Sequence, residues 1–243
     1  MPIQANPQND ESAPINPELD GNARGLVITA YEKIRSDIIN GSLEPGSALK
    51  LEALRTRYEI GVSPIREALS RLASDTFVTS IENRGYRVAE VSKEDLIDIT
   101  NNRVILEHVA LKESIAGGDE DWEVNIVGAH YRLSKLDEQL SSPSEEILQR
   151  WESANRQFHD SLVAACQSKW LWRFRQLLQD QSKRYRQLSI IENRSVRDVS
   201  AEHKALMDAT LGRDVTRACE LIENHIRDTA ARVIATLAKD SAS

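Results

Sequence analysis

Cysteine, methionine and aromatic residues are scarce in this chain, and no long apolar run occurs. Two Cys among 243 residues cannot build a disulfide framework. Cys166 and Cys219 belong to no motif, fall in helical patterns and read as buried free thiols. No apolar stretch approaches the roughly 18 residues that a membrane span requires. The N-terminus has neither the basic nor the apolar region of a secretory signal. These absences argue for a reducing, cytoplasmic setting and against a membrane. Ser-His-Asp and P-loop signatures are also missing, which removes two common catalytic readings. What remains is 40% hydrophobic and 28% charged, a soluble globular balance, with length enough for two domains. Aromatics are only 5%, whereas Leu, Ala, Ile, Glu and Arg abound, so helix is the favoured state.

The net charge of −7 is unevenly distributed. Residues 1–23 carry four acids and no base; residues 94–243 carry 20 Lys and Arg against 25 Asp and Glu. Residues 24–93 carry 11 against 9 and are the only positive segment, the sign that contact with nucleic-acid phosphate requires.

Residues 1–23, rich in Pro, Asn, Asp and Ser and without periodicity, are expected to form a disordered tail. Order begins near Leu26, where Val27, Ile28, Tyr31, Ile34, Ile38 and Ile39 recur at helical spacing. Asn40-Gly41 closes that helix and Glu44-Pro45-Gly46 turns the chain. A short helix follows at Leu51–Tyr58. A third opens at Ser63-Pro64, with Ser63 as N-cap and Pro64 at the first helical position. Phe77–Ile81 and Tyr86–Val91 read as strands joined through Glu82-Asn83-Arg84-Gly85. Helix, helix, turn, helix, hairpin is the order of a winged helix-turn-helix. Beyond Val91 the pattern is helical to the end. Ser92-Lys93-Glu94-Asp95 resembles a capping box, and the helix it opens stops at Gly117-Gly118. Further helices are expected at about 120–141, 144–166, 168–190, 198–211 and 214–238.

A recognition helix must bury one face and present polar groups to base edges from the other. In the helix at 63–74 the apolar stripe is Ile65, Ala68, Leu69 and Leu72. Arg66 and Ser70 lie on the opposite arc, one turn apart, and Ser63 sits at the helix start. Arg66 suits a guanine, whose O6 and N7 accept a bidentate pair. Arg71 better suits backbone phosphate or the neighbouring domain. On the wing, Arg84 and Arg87 flank Gly85 within reach of a minor groove or its phosphates. The plainer alternative is an amphipathic helix with a solvated arginine face. Glu67 and Glu52 repel phosphate and should turn elsewhere.

The stretch Leu51–Val91 closely resembles the DNA-binding domain of the GntR superfamily. The Ser-Pro-hydrophobic-Arg-Glu-Ala-Leu run at Ser63–Leu69 and the Asn-Arg-Gly-aromatic wing at Asn83–Tyr86 carry that resemblance. It implies base or phosphate contact by Ser63, Arg66 and the wing tip at Gly85. Many members place an Arg just before the recognition helix; this chain has Gly61-Val62 there.

In the C-terminal half, Asn155 and His159 are four residues apart and project from one helix face. His203 and His225 lie on two later helices that a turn at Gly212 can bring together. Three imidazoles and one oxygen suit Zn²⁺, Ni²⁺ or another borderline divalent ion; equally, scattered helical histidines can be ordinary core or surface residues. Residues 93–238 resemble the FCD domain, the helical effector domain of the FadR subfamily. The matches are Asn102-Arg103-x-x-Leu106-Glu107, Asn155-x-x-Phe158-His159, Glu202-His203 and the late His225. The resemblance implies a divalent cation held by Asn155, His159, His203 and His225, with neutral Asn155 where many relatives carry Asp. It also implies a pocket role for Arg103, which beside a cation would bind a small carboxylate; the alternative is an ion pair between Arg103 and Glu107. His108 and His130 match no ligand position and are taken as structural. Trp122, Trp151, Trp170 and Trp172 are taken as core or interface residues.

The sequence therefore leads to a mainly α chain: a disordered tail at 1–23, a winged helix-turn-helix at 24–91 and an antiparallel helical bundle at 92–243. The expected function is a homodimeric repressor that binds a palindromic double-stranded operator and is released by a small organic acid near the metal. Two alternatives stay open. One is a hydrolase using the three-His ion, although no Asp or Glu within the His motifs offers itself as a general base. The other is a metal that only holds the bundle together.

Overall fold

The computed structural model describes residues 17–82, 85–140, 143–189 and 199–240. The chain forms two compact units, the first of residues up to 37 together with 46–89, the second of 38–45 together with 90 onward.

The first unit contains α1 (Pro17–Ile39, its last two residues belonging to the second unit), β1 (Ala48–Leu49), α2 (Leu51–Tyr58), α3 (Val62–Ser74), β2 (Val78–Ile81) and β3 (Gly85–Val88). Helix α1 begins earlier than its apolar periodicity indicates, so the last seven residues of the expected tail are helical. Pro17 occupies the first helical position, where the missing N–H leaves no bond unmade. The remainder of that tail, residues 1–16, lies outside the described residues. Val27, Ala30 and Ile34 form the buried face of α1, whereas Ile28, expected on the same stripe, is exposed. The Tyr31 hydroxyl donates to Asp75 Oδ2 at 2.7 Å and Tyr58 donates to Asp37 Oδ2 at 2.7 Å, tying α1 to the helix-turn-helix at two points.

Helix α2 ends on Glu59 in the left-handed conformation (φ 58°), and α3 starts one residue sooner than Ser63-Pro64 suggests. Gly61 is the N-cap, its carbonyl accepting from Ile65 N at 3.3 Å, and no side chain caps the helix. The assignment of Ser63 as cap is thereby corrected: it is the second helical residue, with its side chain exposed. The sheet order is β1-β3-β2, all antiparallel, with Val78 opposite Val88 and Ile81 opposite Gly85. The two-residue strand β1, too short to show alternation, pairs Leu49 with Tyr86 and was not expected. Both hairpin strands are shorter than their apolar runs; Phe77 lies before β2, fully buried, with its carbonyl accepting from Ala89 N.

The second unit is a bundle of α4 (Lys93–Gly117), α5 (Glu120–Asp137), α6 (Glu145–Leu162), α7 (Lys169–Ser189), α8 (Val199–Leu211) and α9 (Val215–Asp240). Its N-caps follow simple chemistry: Ser92, Asp119 and Ser144 accept from the backbone N–H three residues on. The capping box at Ser92 is only half made. Asp95 does not return to the Ser92 N–H; the buried Tyr185 hydroxyl of α7 takes that bond at 3.1 Å and donates to Asp95 Oδ2 at 2.5 Å. Leu111, Ile126, Leu133, Phe158 and Ile222 anchor the common core. Removing each of these large apolar side chains from water contributes about 1.5–3 kcal/mol. Gly212 and left-handed Arg213 (φ 57°) reverse the chain between α8 and α9 and so set the two helices side by side.

One expectation about a single residue fails and another narrows. Cys166 lies in the loop after α6, half exposed, where Sγ donates to Glu113 Oε2 at 3.0 Å; the apolar run through Val163 and Ala165 imitates a longer helix than forms. Of the two readings given for Trp170, core or interface, the core one is excluded: Trp170 is 65% exposed and stacked on Phe174.

Candidate DNA-reading helix and metal centre

On α3 the buried set is Ile65, Ala68, Leu69 and Leu72, which turns Ser63, Arg66 and Ser70 to solvent. Glu67 is engaged on the same helix by Arg71 at 2.5 Å, so its charge is offset locally and Arg71 is drawn away from the Arg66 arc. Glu52 is similarly paired with Arg55 at 2.7 Å. Among the described residues, Arg66 is thus the exposed α3 cation without an ion pair, one turn from Ser63 and Ser70. On the wing, Gly85 has φ +94°, a conformation that L side chains rarely adopt. Arg87 is exposed and donates to the Gly46 carbonyl at 2.7 Å, bracing the wing against the turn before β1. Arg84, expected beside it, lies outside the described residues.

The bundle brings together histidines that are far apart in sequence. His159 comes from α6, His203 from α8 and His225 from α9, and their ligand atoms all lie within 4.8 Å of one another. Ring centroids are 5.3 Å apart for His159–His203, 4.9 Å for His159–His225 and 5.0 Å for His203–His225. His159 is 3% exposed, and neither of its ring nitrogens has a hydrogen-bond partner. Asn155 Oδ1, one turn earlier on α6, is equally buried and equally unsatisfied. Unmade bonds on buried polar atoms are costly, about 1–3 kcal/mol each, and call for a ligand. Burial, reinforced by His225 and His203 and then by Arg103 and Arg175, holds the His159 pKa well below the usual imidazole range. A neutral imidazole is the form that binds a cation. His225 Nδ1 donates to Glu202 Oε2 at 2.9 Å, which fixes the tautomer that offers Nε2 as a ligand. The donor set therefore fits a borderline divalent cation, with three imidazoles and one amide oxygen available.

A cavity of about 470 Å³ opens beside this cluster, lined by Asn155, His159 and His225 together with Arg103, Lys183 and Arg186. Arg103 is buried and its pKa is lowered to about 10, chiefly by burial and against the pull of Glu107. The ion pair between these two residues is long, Nε to Oε1 being 3.6 Å, and Arg103 Nε makes no hydrogen bond. Glu107 is instead gripped by Arg175 at 2.8 Å, while Arg103 donates to Ser182 Oγ at 3.2 Å. Arg175, which sequence reasoning missed, also bonds Asp160 at 2.6 Å and the carbonyl of His159 at 2.9 Å. It thereby fixes the backbone of a proposed ligand, and its 68-residue separation from Glu107 left no local signal. Glu202 was quoted only as a neighbour of His203; nothing in the spacing identified it as the partner of His225. The remaining histidines are held elsewhere: His108 Nε2 lies 3.0 Å from the Cys219 carbonyl and His130 packs edge-on to Phe158. Trp151 is half-buried at the cavity and donates to Asp137 Oδ1 at 2.7 Å.

Comparison with known proteins places both units. The model of the bacterial regulatory proteins of the gntR family matches residues 26–88, and that of the FCD domain matches residues 98–228. The HTH-type transcriptional regulator BphR of Paraburkholderia xenovorans is 40% identical over 212 residues, covering 87% of this chain and 86% of that protein. The HTH-type transcriptional repressor GlaR of Escherichia coli is 34% identical over 203 residues, covering 82% and 91%. Among solved structures, E. coli McbR/YncC superposes with a TM-score of 0.71 at 19% identity over 86% of this chain and 96% of that one, a likeness of fold alone. Among the described residues no helix is long and apolar enough to cross a membrane. The family and these relatives are transcription regulators rather than enzymes. With a GntR winged helix-turn-helix followed by a helical FCD domain, the chain belongs to the GntR family of bacterial transcription regulators, in its FadR-type branch.

Proposed function

We propose that this chain is a cytoplasmic repressor that binds a palindromic operator as a dimer and releases it when a small organic acid occupies the cavity beside a divalent cation. The observation that carries the reading is the buried, unsatisfied His159, clustered with His203 and His225 against a cavity that Arg103 also lines. In the reader, Arg66 contacts a base edge, with Ser63 and Ser70 beside it; Arg71, Arg84, Gly85 and Arg87 serve phosphate or the minor groove. In the sensor, Asn155, His159, His203 and His225 hold Zn²⁺ or Ni²⁺. Such a cation would supply a Lewis-acidic site for one carboxylate oxygen, and the Arg103 guanidinium, which lines the same cavity, would pair with that carboxylate. Repression is favoured as the sign because GlaR and the gluconate operon regulator of Bacillus subtilis are both named repressors.

Helix α7 offers the route from cavity to reader. It carries Lys183 and Arg186 at the cavity, Ser182 on Arg103, and Tyr185 on the start of α4. A ligand that moves α7 acts on the residues immediately following the first unit, provided that it binds the two states with different affinity.

The test is a thermal-unfolding screen of metal-loaded protein against sugar acids, keto acids and dicarboxylates, repeated after chelation and paired with operator release. An acid at about 100 times its dissociation constant stabilises the fold by roughly 2.7 kcal/mol. The expected result is a shift that disappears with chelator and coincides with loss of operator binding. Stabilisation by metal alone, with no response to any acid, would leave the ion structural and overturn the sensing half of the proposal.

A further inference from the structure

The cavity that begins at the histidines continues along the bundle, and its far end carries charge that a single carboxylate leaves unused. On α9, His225, Thr229 and Arg232 line it at helical spacing; on α7, Gln179, Lys183 and Arg186 do the same. Three contacts set α4 and α7 antiparallel: Asp95 meets Tyr185, Arg103 meets Ser182, and Glu107 meets Arg175. Two more set α4 and α9 antiparallel, His108 meeting the Cys219 carbonyl and Asn101 meeting Arg227. Helices α7 and α9 therefore run in the same direction, with Lys183 and Arg232 level with each other near the start of α4. Ala230, Val233 and Tyr185 pack at that level against Leu96 and Ile99. His225 precedes Arg232 by two helical turns, about 10 Å along α9, and stands level with Arg103.

The charge of the walls is one-sided. Arg103, Arg156, Lys183, Arg186 and Arg232 line the cavity against one acid, Glu152. Arg186 bonds Glu152 at 3.1 Å and Arg156 bonds Asp180 at 2.5 Å, so these two are neutralised within the bundle. Among the described residues, Arg232 has no carboxylate within ion-pair distance. Between the two ends lies Gln179, 7% exposed, whose Oε1 has no hydrogen-bond partner. A buried acceptor without a donor calls for one from outside the chain, and a polar ligand spanning this stretch can supply it. An apolar tail running past Gln179 would bury that acceptor and end against a guanidinium, which costs free energy at both places. A second anion at the Arg232 end gains a charge-assisted pair instead.

We propose that the acid is a linear dicarboxylate of about four to six carbons, with one carboxylate at the Arg103–His225 end and the other held by Arg232 and Lys183. The length follows from the rise of α9 between His225 and Arg232, shortened because side chains lean toward the N-terminus of their own helix. The inference rests on the reading of this cavity as the acid site and narrows that reading to one class of acid. It sets the distal carboxylate beside Tyr185, whose hydroxyl caps α4. A monocarboxylate fills the inner end and does not reach that level.

Calorimetric titration of the metal-loaded full chain tests the proposal, with succinate, glutarate and adipate compared with butyrate, valerate and hexanoate. The best diacid should bind at least about tenfold more tightly than the monoacid of the same length, the value of one charge-assisted pair. Arg232→Met should erase most of that advantage while the monoacid affinity, metal content and circular dichroism stay unchanged. Lys183→Met should act in the same direction. Arg217→Met, an equal loss of charge on α9 away from the cavity, should leave the ratio of diacid to monoacid affinity as it was. A ratio that falls as much in Arg217→Met as in Arg232→Met would reduce the effect to overall charge and overturn the distal site. Monoacids that bind as tightly as diacids, or a diacid advantage that survives both cavity variants, would also overturn it and leave the reading of the cavity as an acid site standing. No binding of any acid would overturn that reading together with the inference.

Discussion

His225 and Glu202 are joined through Nδ1 and Oε2 at 2.9 Å, across the α8–α9 hairpin that Gly212 and Arg213 create. This bond orients an imidazole that must present its other nitrogen to the centre of the bundle. Glu202→Gln keeps the size of the side chain and removes the anionic acceptor. Metal affinity should fall about 10- to 100-fold, read by competition with a chromogenic chelator, while operator affinity in the absence of acid is retained. Unchanged metal affinity would remove Glu202 from the site.

The reader and the sensor should separate by mutation. Arg66→Ala is expected to abolish specific operator binding in a mobility-shift assay and leave the metal content intact. His203→Ala should give the opposite pattern, losing metal and the response to acid while the apo-protein still binds DNA. A His203→Ala protein that purifies with full metal content would refute the assignment of the triad.

Tyr185 offers a test of coupling. Its hydroxyl replaces the missing half of the α4 capping box, and burial together with the bond to Asp95 raises its pKa. Tyr185→Phe leaves the Ser92 N–H and the Asp95 carboxylate without that partner, at a cost of about 1–3 kcal/mol in urea unfolding. The acid should still bind, by calorimetry, but should no longer release the operator fully. Normal release by this variant would exclude the α4 cap as the route.

Arg175 sits fully buried between Glu107 and Asp160. Arg175→Met strands the Glu107 charge and should destabilise the bundle by about 3–5 kcal/mol. Adding Glu107→Leu removes the stranded charge, and the pair should regain much of the loss in denaturant titrations. A double variant no better than the single one would show that the network around Asp160 and the His159 carbonyl matters more than the Glu107 charge.

Local chemistry made most of the helices legible. Ser92 announced α4, and Gly117-Gly118 ended it; the α2 boundaries at Leu51 and Tyr58 follow directly from flanking turn residues. Errors arose where neighbouring residues give misleading or insufficient signals. Ser63 looks like a cap because it precedes Pro64, but glycine at 61 begins the helix sooner. Cys166 continues an apolar pattern past the point where α6 stops. Strand β1 has two residues and therefore no period. Of the site, the spacing of Asn155 and His159 was readable, and family resemblance supplied His203, His225 and Arg103. Arg175 and Tyr185 were not readable, since each acts on a residue 68 or more positions away. Side-chain pairs of that separation are set by helix packing, and one sequence does not encode them in any local pattern.

The histidine triad takes one ligand from each of α6, α8 and α9, while Arg103 approaches from α4. On the proposed reading, the acid-binding wall containing His159 and His225 is fixed only while the cation is held. Acid abundance and metal supply then enter as a conjunction, since neither input alone assembles the released state. A cell starved of the cation would keep the operator occupied however much acid accumulated, making the regulator a coincidence detector whose threshold for nutrient follows the metal economy.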